Sequence, residues 1–264
     1  MTSPNPTPYP VPLPALDTEC AETFHRRTRL FGADGREPGP GPGPAPVPQS
    51  KALVLPSVAP LQGLSLDEAI MRRRTRREFD AQQVLTLPQL ARLLVLSSGR
   101  TAPAMPGEWA AASGHRAVPS AGASYAVEVH VIAQRVAGLP PGSYCYKPLE
   151  HALESRRLGS FEEGLGRWTF DQHWMLGAAA VFVMVGRLER IAPRYGSRGY
   201  RYMLFEAGHV AQNLYLLGAA HELCVQATGG FVDYAIARLL GLQQRAMILY
   251  LVAVGPAART QRQG

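Results

Sequence analysis

The sequence predicts an α+β fold carried by residues 61–258, behind a proline-rich arm over residues 1–60 and before a short tail at 259–264. Three observations predict it. Two capping boxes, Ser65-Leu-Asp-Glu68 and Thr86-Leu-Pro-Gln89, and one long apolar run at helical spacing mark helices. Short runs of Val, Ile and Ala, alternating or continuous, mark strands between them. The two kinds do not alternate in a steady βαβ rhythm, which argues against an all-parallel sheet.

The arm comes first. Residues 1–60 hold 14 of the 23 prolines, at every second position from Pro4 to Pro14 and again from Pro38 to Pro48. Proline has no N–H for a ladder, so the arm is expected to be extended or disordered: a spacer, a partner-binding segment or a plain tail. Asp67 and Glu68 fall in the first turn of the first capped helix, where the helix dipole favours anions, and that helix runs into an arginine cluster. The second capped helix carries Leu90, Leu93 and Leu94 as its apolar stripe, with Gly99 as its stop. Residues 100–115, rich in Ala, Pro and Gly, read as a loop. Val127, Val129 and Val131 alternate with Glu128 and His130 in a strand, and Pro140-Pro141-Gly142 turns the chain into another through Tyr144-Cys145-Tyr146. Ala178–Gly186 is a buried strand. Leu204, Ala207, Val210, Ala211, Leu214 and Leu217 place a long helix from Tyr200 to about Cys224. A helix over Asp233–Leu240, stopped at Gly241, and a buried strand over Ala246–Gly255 complete the fold.

Composition narrows the function. Three cysteines, at 20, 145 and 224, form no CxxC pair and leave one over, so no disulfide framework is expected and a reducing, cytoplasmic setting fits. No run of 18 apolar residues is present, and the N-terminus lacks a basic stretch followed by an apolar one, so neither a membrane span nor a signal peptide is expected. The net charge is +7, yet the arm is neutral, with five basic and five acidic residues. The excess lies in residues 61–264, and Arg72, Arg73, Arg74, Arg76 and Arg77 supply most of it. One dense spot is not the basic face that a nucleic-acid binder shows.

Four constellations carry chemistry. Guanidinium forks hold phosphate through paired hydrogen bonds, so Arg73-Arg74-Thr75-Arg76-Arg77 suits a phosphate, and equally a solvated basic helix end. Pro119-Ser120-Ala121-Gly122-Ala123 and Thr228-Gly229-Gly230-Phe231 let backbone approach a flat ligand, or simply turn the chain. Tyr195-Gly-Ser-Arg198-Gly-Tyr200-Arg201 leads into the long helix, where Glu206, His209 and Asn213 share one face, His209 being a candidate acid or base or an ordinary core histidine. The histidines at 209 and 221 stand twelve apart, and no zinc, P-loop, GxGxxG or GxSxG pattern is present, so no metal is expected.

The order in which these segments fall, with Gly142-Ser-Tyr-Cys-Tyr146, Glu206-Ala-Gly-His209, Gln212-Asn213 and Gly229-Gly230-Phe231, resembles the nitroreductase superfamily over residues 61–256, and within it the SagB/ThcOx-type dehydrogenases. The resemblance implies a nitroreductase-like FMN-binding fold, a central mixed or antiparallel sheet flanked by helices, in an intertwined homodimer with FMN at the interface. By the same resemblance Arg73, Arg74, Thr75 and Arg77 hold the FMN phosphate. Pro119, Ser120 and Gly122 border the isoalloxazine ring, and Gly229 and Gly230 its other edge. Members of that branch oxidise thiazoline and oxazoline rings of ribosomal peptides to azoles, with a cyclodehydratase as partner. Tyr195 is then the candidate base or proton relay, with Arg194 and Arg198 beside it. The chain departs from the pattern at Arg194-Tyr195, where a Lys-Tyr pair is usual, at Ala123-Ser-Tyr-Ala126, and at Gln243-Gln244-Arg245, where acids are often found. A guanidinium stays protonated, so Arg194 cannot take a proton. An NAD(P)H-dependent nitroreductase or flavin reductase for small molecules, and a non-catalytic docking subunit, are the alternatives.

Overall fold

The computed structural model describes residues 19–29, 52–58, 64–103, 114–170, 172–242 and 246–258. Both proline tracts, Gln243-Gln244-Arg245 and the tail lie outside the described residues. In chain order the elements are α1 (Glu19–Arg27), β1 (Leu53–Val54), α2 (Leu66–Arg72), β2 (Leu85–Thr86), α3 (Leu87–Ser98), β3 (Arg100–Ala102), β4 (His115–Arg116), β5 (Val127–Ala133), β6 (Val136–Ala137), β7 (Gly142–Lys147), β8 (Ala152–Leu158), α4 (Glu162–Trp168), β9 (Ala180–Gly186), α5 (Leu188–Tyr195), α6 (Arg198–Ala220), β10 (Leu223–Thr228), α7 (Asp233–Leu239) and β11 (Met247–Pro256).

Seven strands form one sheet in the order β1-β8-β7-β5-β9-β11-β10, every neighbouring pair antiparallel. Of the mixed or antiparallel sheet expected, the main sheet is therefore antiparallel, in an α+β fold. The central strands are covered on both faces, so they read as apolar runs as well as alternating ones. On one face Val127, Val129 and Val131 of β5, Phe182 and Met184 of β9, and Val252 and Val254 of β11 pack against Met203, Ala207, Val210, Ala211 and Leu214 of α6. On the other, Ile132, Val181, Val183, Val185, Leu251 and Ala253 meet Phe161, Leu165, Ile236 and Leu240 around α4 and α7. Each fully buried Phe or Leu in these layers contributes about 1.5–3 kcal/mol.

The helix starts form as their residues dictate. Ser65 Oγ accepts from the Glu68 N–H at 3.2 Å while Ser65 N–H donates to Glu68 Oε2 at 3.0 Å, and Thr86 with Gln89 repeats the exchange. Gly99 does stop α3, for a reason other than handedness: its φ is −75°, but a Cβ there would stand 2.5 Å from Val95 Cα and 2.8 Å from the Tyr146 hydroxyl.

Other expectations are corrected. The arm contains a helix, α1, and a strand, β1, that pairs with β8 at the sheet edge. The long helix ends at Ala220 instead of near Cys224, because Glu222 takes φ 55° and turns the chain so that Cys224 enters β10. Two further strands, β8 and β10, and the helix α5 complete the frame. None of the three cysteines is in a disulfide. Among the described residues no helix is long and apolar enough to cross a membrane.

α1 is held by His25, buried with its Nδ1 3.0 Å from the Tyr200 hydroxyl and its Nε2 3.9 Å from Asp233. Burial, helped by Arg29, lowers the imidazole pKa from 6.5 to about 4, so at neutral pH the ring is uncharged and the Asp233 contact is not an ion pair. Between those values the unfolded segment binds more protons than the docked one, so docking weakens as pH falls. Protection factors across Glu19–Arg27, with the pH dependence of intrinsic amide exchange divided out, are expected to fall between pH 7 and pH 5 more than across α6, and equal changes in both would contradict it.

Candidate active site

α6 is the spine of the site. At about 100° per residue, Glu206 and Asn213 share one flank of the helix, and Tyr215 stands on the opposite flank, about 180° from Glu206.

On the first flank lies the loop from Pro119 to Ala123. Asn213 Nδ2 donates to Ala117 O at 3.1 Å and reaches Leu96 O and Ser97 O at the end of α3. Two helical turns earlier, the buried Glu206 accepts from Ser120 Oγ at 2.6 Å and from the Val127 N–H at 3.1 Å. Ser120 Oγ in turn accepts from the Tyr125 N–H at 2.9 Å. Between these anchors the backbone is strained: Gly122, Ala123 and Tyr125 have φ of 56°, 50° and 42°. Such values in residues with a Cβ cost of order 1–3 kcal/mol each and persist where surrounding bonds hold them. Burial pushes the Glu206 carboxyl pKa up, and the Ser120 and Val127 hydrogen bonds only partly offset it.

Arg194 and Tyr195, at the end of α5, meet this loop at Gly122. A Cβ on Gly122 would stand 2.5 Å from Arg194 Nη1 and 2.7 Å from the Tyr195 hydroxyl, so the tips of both side chains close on this glycine. The Arg194 guanidinium lies over the Tyr195 ring at 5.3 Å, and Tyr195, itself buried, packs edge-on against Tyr202 at 5.0 Å. Arg198 donates from Nε to the Tyr202 hydroxyl at 3.0 Å, so it reaches Tyr195 through that ring. The segments read as a catalytic pair and as a flavin-side loop are thus adjacent.

On the second flank the arginines leave α2 in an extended stretch that starts at Arg73, with ψ 122°, and not on the helix end. The Arg76 N–H donates to Val225 O of β10. The stretch is tied to α6 by Tyr215: Arg73 lies over its ring at 5.5 Å, and Thr75 Oγ1 donates to its hydroxyl at 3.4 Å. The same hydroxyl accepts from the Ala227 N–H at 2.9 Å, next to the Thr228–Gly230 turn. Arg77 is exposed and shares the alternation of Arg73 and Thr75. Arg74 separates from them, donating to Met71 O and Arg73 O at 2.8 Å and lining, with Arg72 and Arg76, a cavity of 660 Å³. Among the described residues no carboxylate pairs with Arg73, Arg74 or Arg77.

These residues fit a flavin mononucleotide by two observations. Arg73, Thr75 and Arg77 offer donors without an anion of their own, as a phosphate requires. Gly229 has room that nothing in the chain fills, since a Cβ there would meet no atom within 4 Å. Gly230 is held by Gln172 Nε2 donating to its O at 2.9 Å. His209 is exposed on the outer face of α6, neither core residue nor partner of Glu206. Sequence reasoning placed Glu206 and Asn213 on one face but gave them no task, and Tyr215, one of 10 tyrosines, carried no signal at all.

Comparison with known proteins identifies the family and the fold. The model of the nitroreductase family matches residues 70–256. MJ1384 of Methanocaldococcus jannaschii, which carries a nitroreductase name, is 31% identical over 191 residues, 72% of this chain and 90% of that one. The microcin B17-processing protein McbC of Escherichia coli is 30% identical over 152 residues, 52% of each, so the match spans about half of McbC. A chain of the E. coli microcin synthetase McbBCD complex, solved with truncated pro-MccB17 bound, has the same fold, with a TM-score of 0.63 at 22% identity over 90% of this chain and 92% of that one.

Proposed function

The chain belongs to the nitroreductase family, and from that premise we propose that it is an FMN-dependent dehydrogenase that oxidises thiazoline or oxazoline rings of a ribosomal peptide to azoles. The observation that carries the reading is the contact of Arg194-Tyr195 with Gly122, the pair that the SagB/ThcOx resemblance makes catalytic against the loop it sets beside the flavin ring. The similarity to McbC, a microcin-processing protein, favours a peptide substrate. FMN, when bound, supplies the two-electron acceptor for the hydrogen that leaves the ring carbon. The residues of the chain do the rest. Arg73, Thr75 and Arg77 would take the phosphate, Gly229 and Gly230 would give the ring room, and Tyr195 would relay the proton that aromatisation releases, passing its own hydroxyl proton on as it receives one. Arg194, always charged, lies over the Tyr195 ring and fixes it at the loop.

The protein acts as a homodimer in this reading. Within one chain the phosphate side and the ring-side loop stand on opposite flanks of α6, so one copy brings the two together only with a second. The face of α6 between them is unusually apolar for a surface, with Leu204 and Phe205 40% and 54% exposed and Gly208 open. A cyclodehydratase is the further partner, by analogy with the synthetase complex to which the matched E. coli chain belongs.

Anaerobic mixing of the yellow protein with an azoline-bearing peptide tests the reading. Bleaching of the flavin by the peptide, and not by NADPH alone, is expected. Rapid bleaching by NADPH without peptide makes the protein a small-molecule reductase, and a colourless protein that takes up no FMN makes it a docking subunit.

A further inference from the structure

On the face of the sheet turned away from α6, Glu128 and His130 of β5 stand with Cys145 of β7. Register explains the meeting. His130 and Cys145 are direct cross-strand partners, so their side chains leave the same face, and Glu128, two residues before His130, leaves it too. A carboxylate oxygen, an imidazole nitrogen and the Cys145 Sγ all lie within 4.8 Å of one another. His130 and Cys145 are buried, His130 completely. Neither ring nitrogen of His130 makes a hydrogen bond, although both are shut off from water. The thiol donates only weakly, to Tyr146 O at 3.8 Å. Buried imidazoles have partners as a rule, and here, among the described residues, the only polar groups that face the ring are the Glu128 carboxylate, 3.5 Å away, and the Cys145 thiol.

We propose that Glu128, His130 and Cys145 form a binding site for a divalent cation of the zinc class. Carboxylate oxygen, imidazole nitrogen and thiolate sulfur are the donors that zinc takes, at about 2.0–2.3 Å, which sets neighbouring ligands of a tetrahedral ion roughly 3.4–3.7 Å apart. Glu128 Oε2 stands 3.5 Å from His130 Nε2, the length of such an edge. The other carboxylate oxygen, Oε1, is taken by Arg190, an outer hydrogen bond of the kind that orients metal ligands. Arg187 Nε, 3.7 Å from Oε2, is the competitor that the ion displaces. Glu128 and Cys145 also line a cavity of 370 Å³ that reaches Ser124 and Tyr125 behind the strained loop, which gives the ion an entry path and a water for its fourth position. Sequence spacing hides the site, because its third ligand is 15 residues from the second and joins it only through the β5–β7 register.

Cobalt is the probe. The full chain as purified, stripped with a chelator and titrated with Co²⁺, is expected to bind one equivalent and to develop the red-visible absorption of tetrahedral thiolate-bound cobalt, where flavin is transparent. Zn²⁺ should abolish that absorption. Cys145→Ser should lose it, which separates this site from the other two cysteines, Cys20 and Cys224. If Cys145→Ser does not fold, Glu128→Gln, which keeps the shape, should weaken cobalt binding about tenfold or more. No cobalt absorption in the parent chain, the same absorption in Cys145→Ser, or unchanged affinity in Glu128→Gln would overturn the site.

Discussion

Replacing Tyr195 by Phe lowers peptide-driven flavin reduction by about 10²- to 10⁴-fold, the span of a positioned acid–base group, while the protein stays yellow. The argument rests on what the substitution spares. The Tyr195 ring packs edge-on against Tyr202 and under the Arg194 guanidinium, contacts that Phe keeps. Only the hydroxyl goes, and it is the atom that would touch a Cβ on Gly122. Of the Arg194-Tyr195 pair only the Tyr195 hydroxyl can pass a proton on, because guanidinium does not give one up at working pH. Arg194→Lys, which restores a residue able to do so, should therefore cost less than Tyr195→Phe. Stopped-flow bleaching, with flavin content read from the same samples, checks both. An unchanged rate in Tyr195→Phe, or a larger loss in Arg194→Lys, would remove Tyr195 from the chemistry.

Much of the frame was legible because its signals are local. The capping boxes at Ser65 and Thr86, the alternating valines of β5 and the apolar stripe of α6 each report short-range physics, and each forms where the pattern sets it, except that Leu204 of the α6 stripe faces outward. α5 was not legible, since Pro193 lies inside it and the helix runs only from Leu188 to Tyr195. It forms because Leu188, Ile191, Ala192 and Tyr195 face the core at helical spacing. The end of α6 is hidden in the sequence for a related reason: Leu223 and Val225 continue an apolar pattern that a strand also satisfies. For the site, the sequence held the groups but not their pairings. Nothing in the spacing joins Thr75 to Tyr215 over 140 positions, or Ser120 to Glu206 over 86, since both meetings depend on where α6 crosses the sheet.

Ser120 and Glu206 support the second large effect. Glu206→Ala should destabilise the fold by about 2–4 kcal/mol, because the Val127 N–H and the Ser120 hydroxyl lose their buried acceptor together. The loss should exceed that of an ordinary polar contact, since Ser120 is also what holds the Tyr125 N–H in the strained loop, so FMN content falls with stability. Glu206→Gln separates shape from charge. An amide can accept from one partner and donate to the other, so at neutral pH its cost is small. The two proteins should then diverge with pH. Burial raises the folded carboxyl pKa above its ordinary 4.5, which means the native state holds the proton more tightly than the unfolded chain. Stability from this group is complete below 4.5 and is lost as pH rises through the folded value, because the native state there binds more protons. Denaturant midpoints from pH 4 upward should fall for the parent chain relative to Glu206→Gln over that interval. Parallel curves would mean that Glu206 keeps its charge at no cost, and the Ser120–Glu206 bond would then have to be read as an ordinary carboxylate contact instead of a strained anchor.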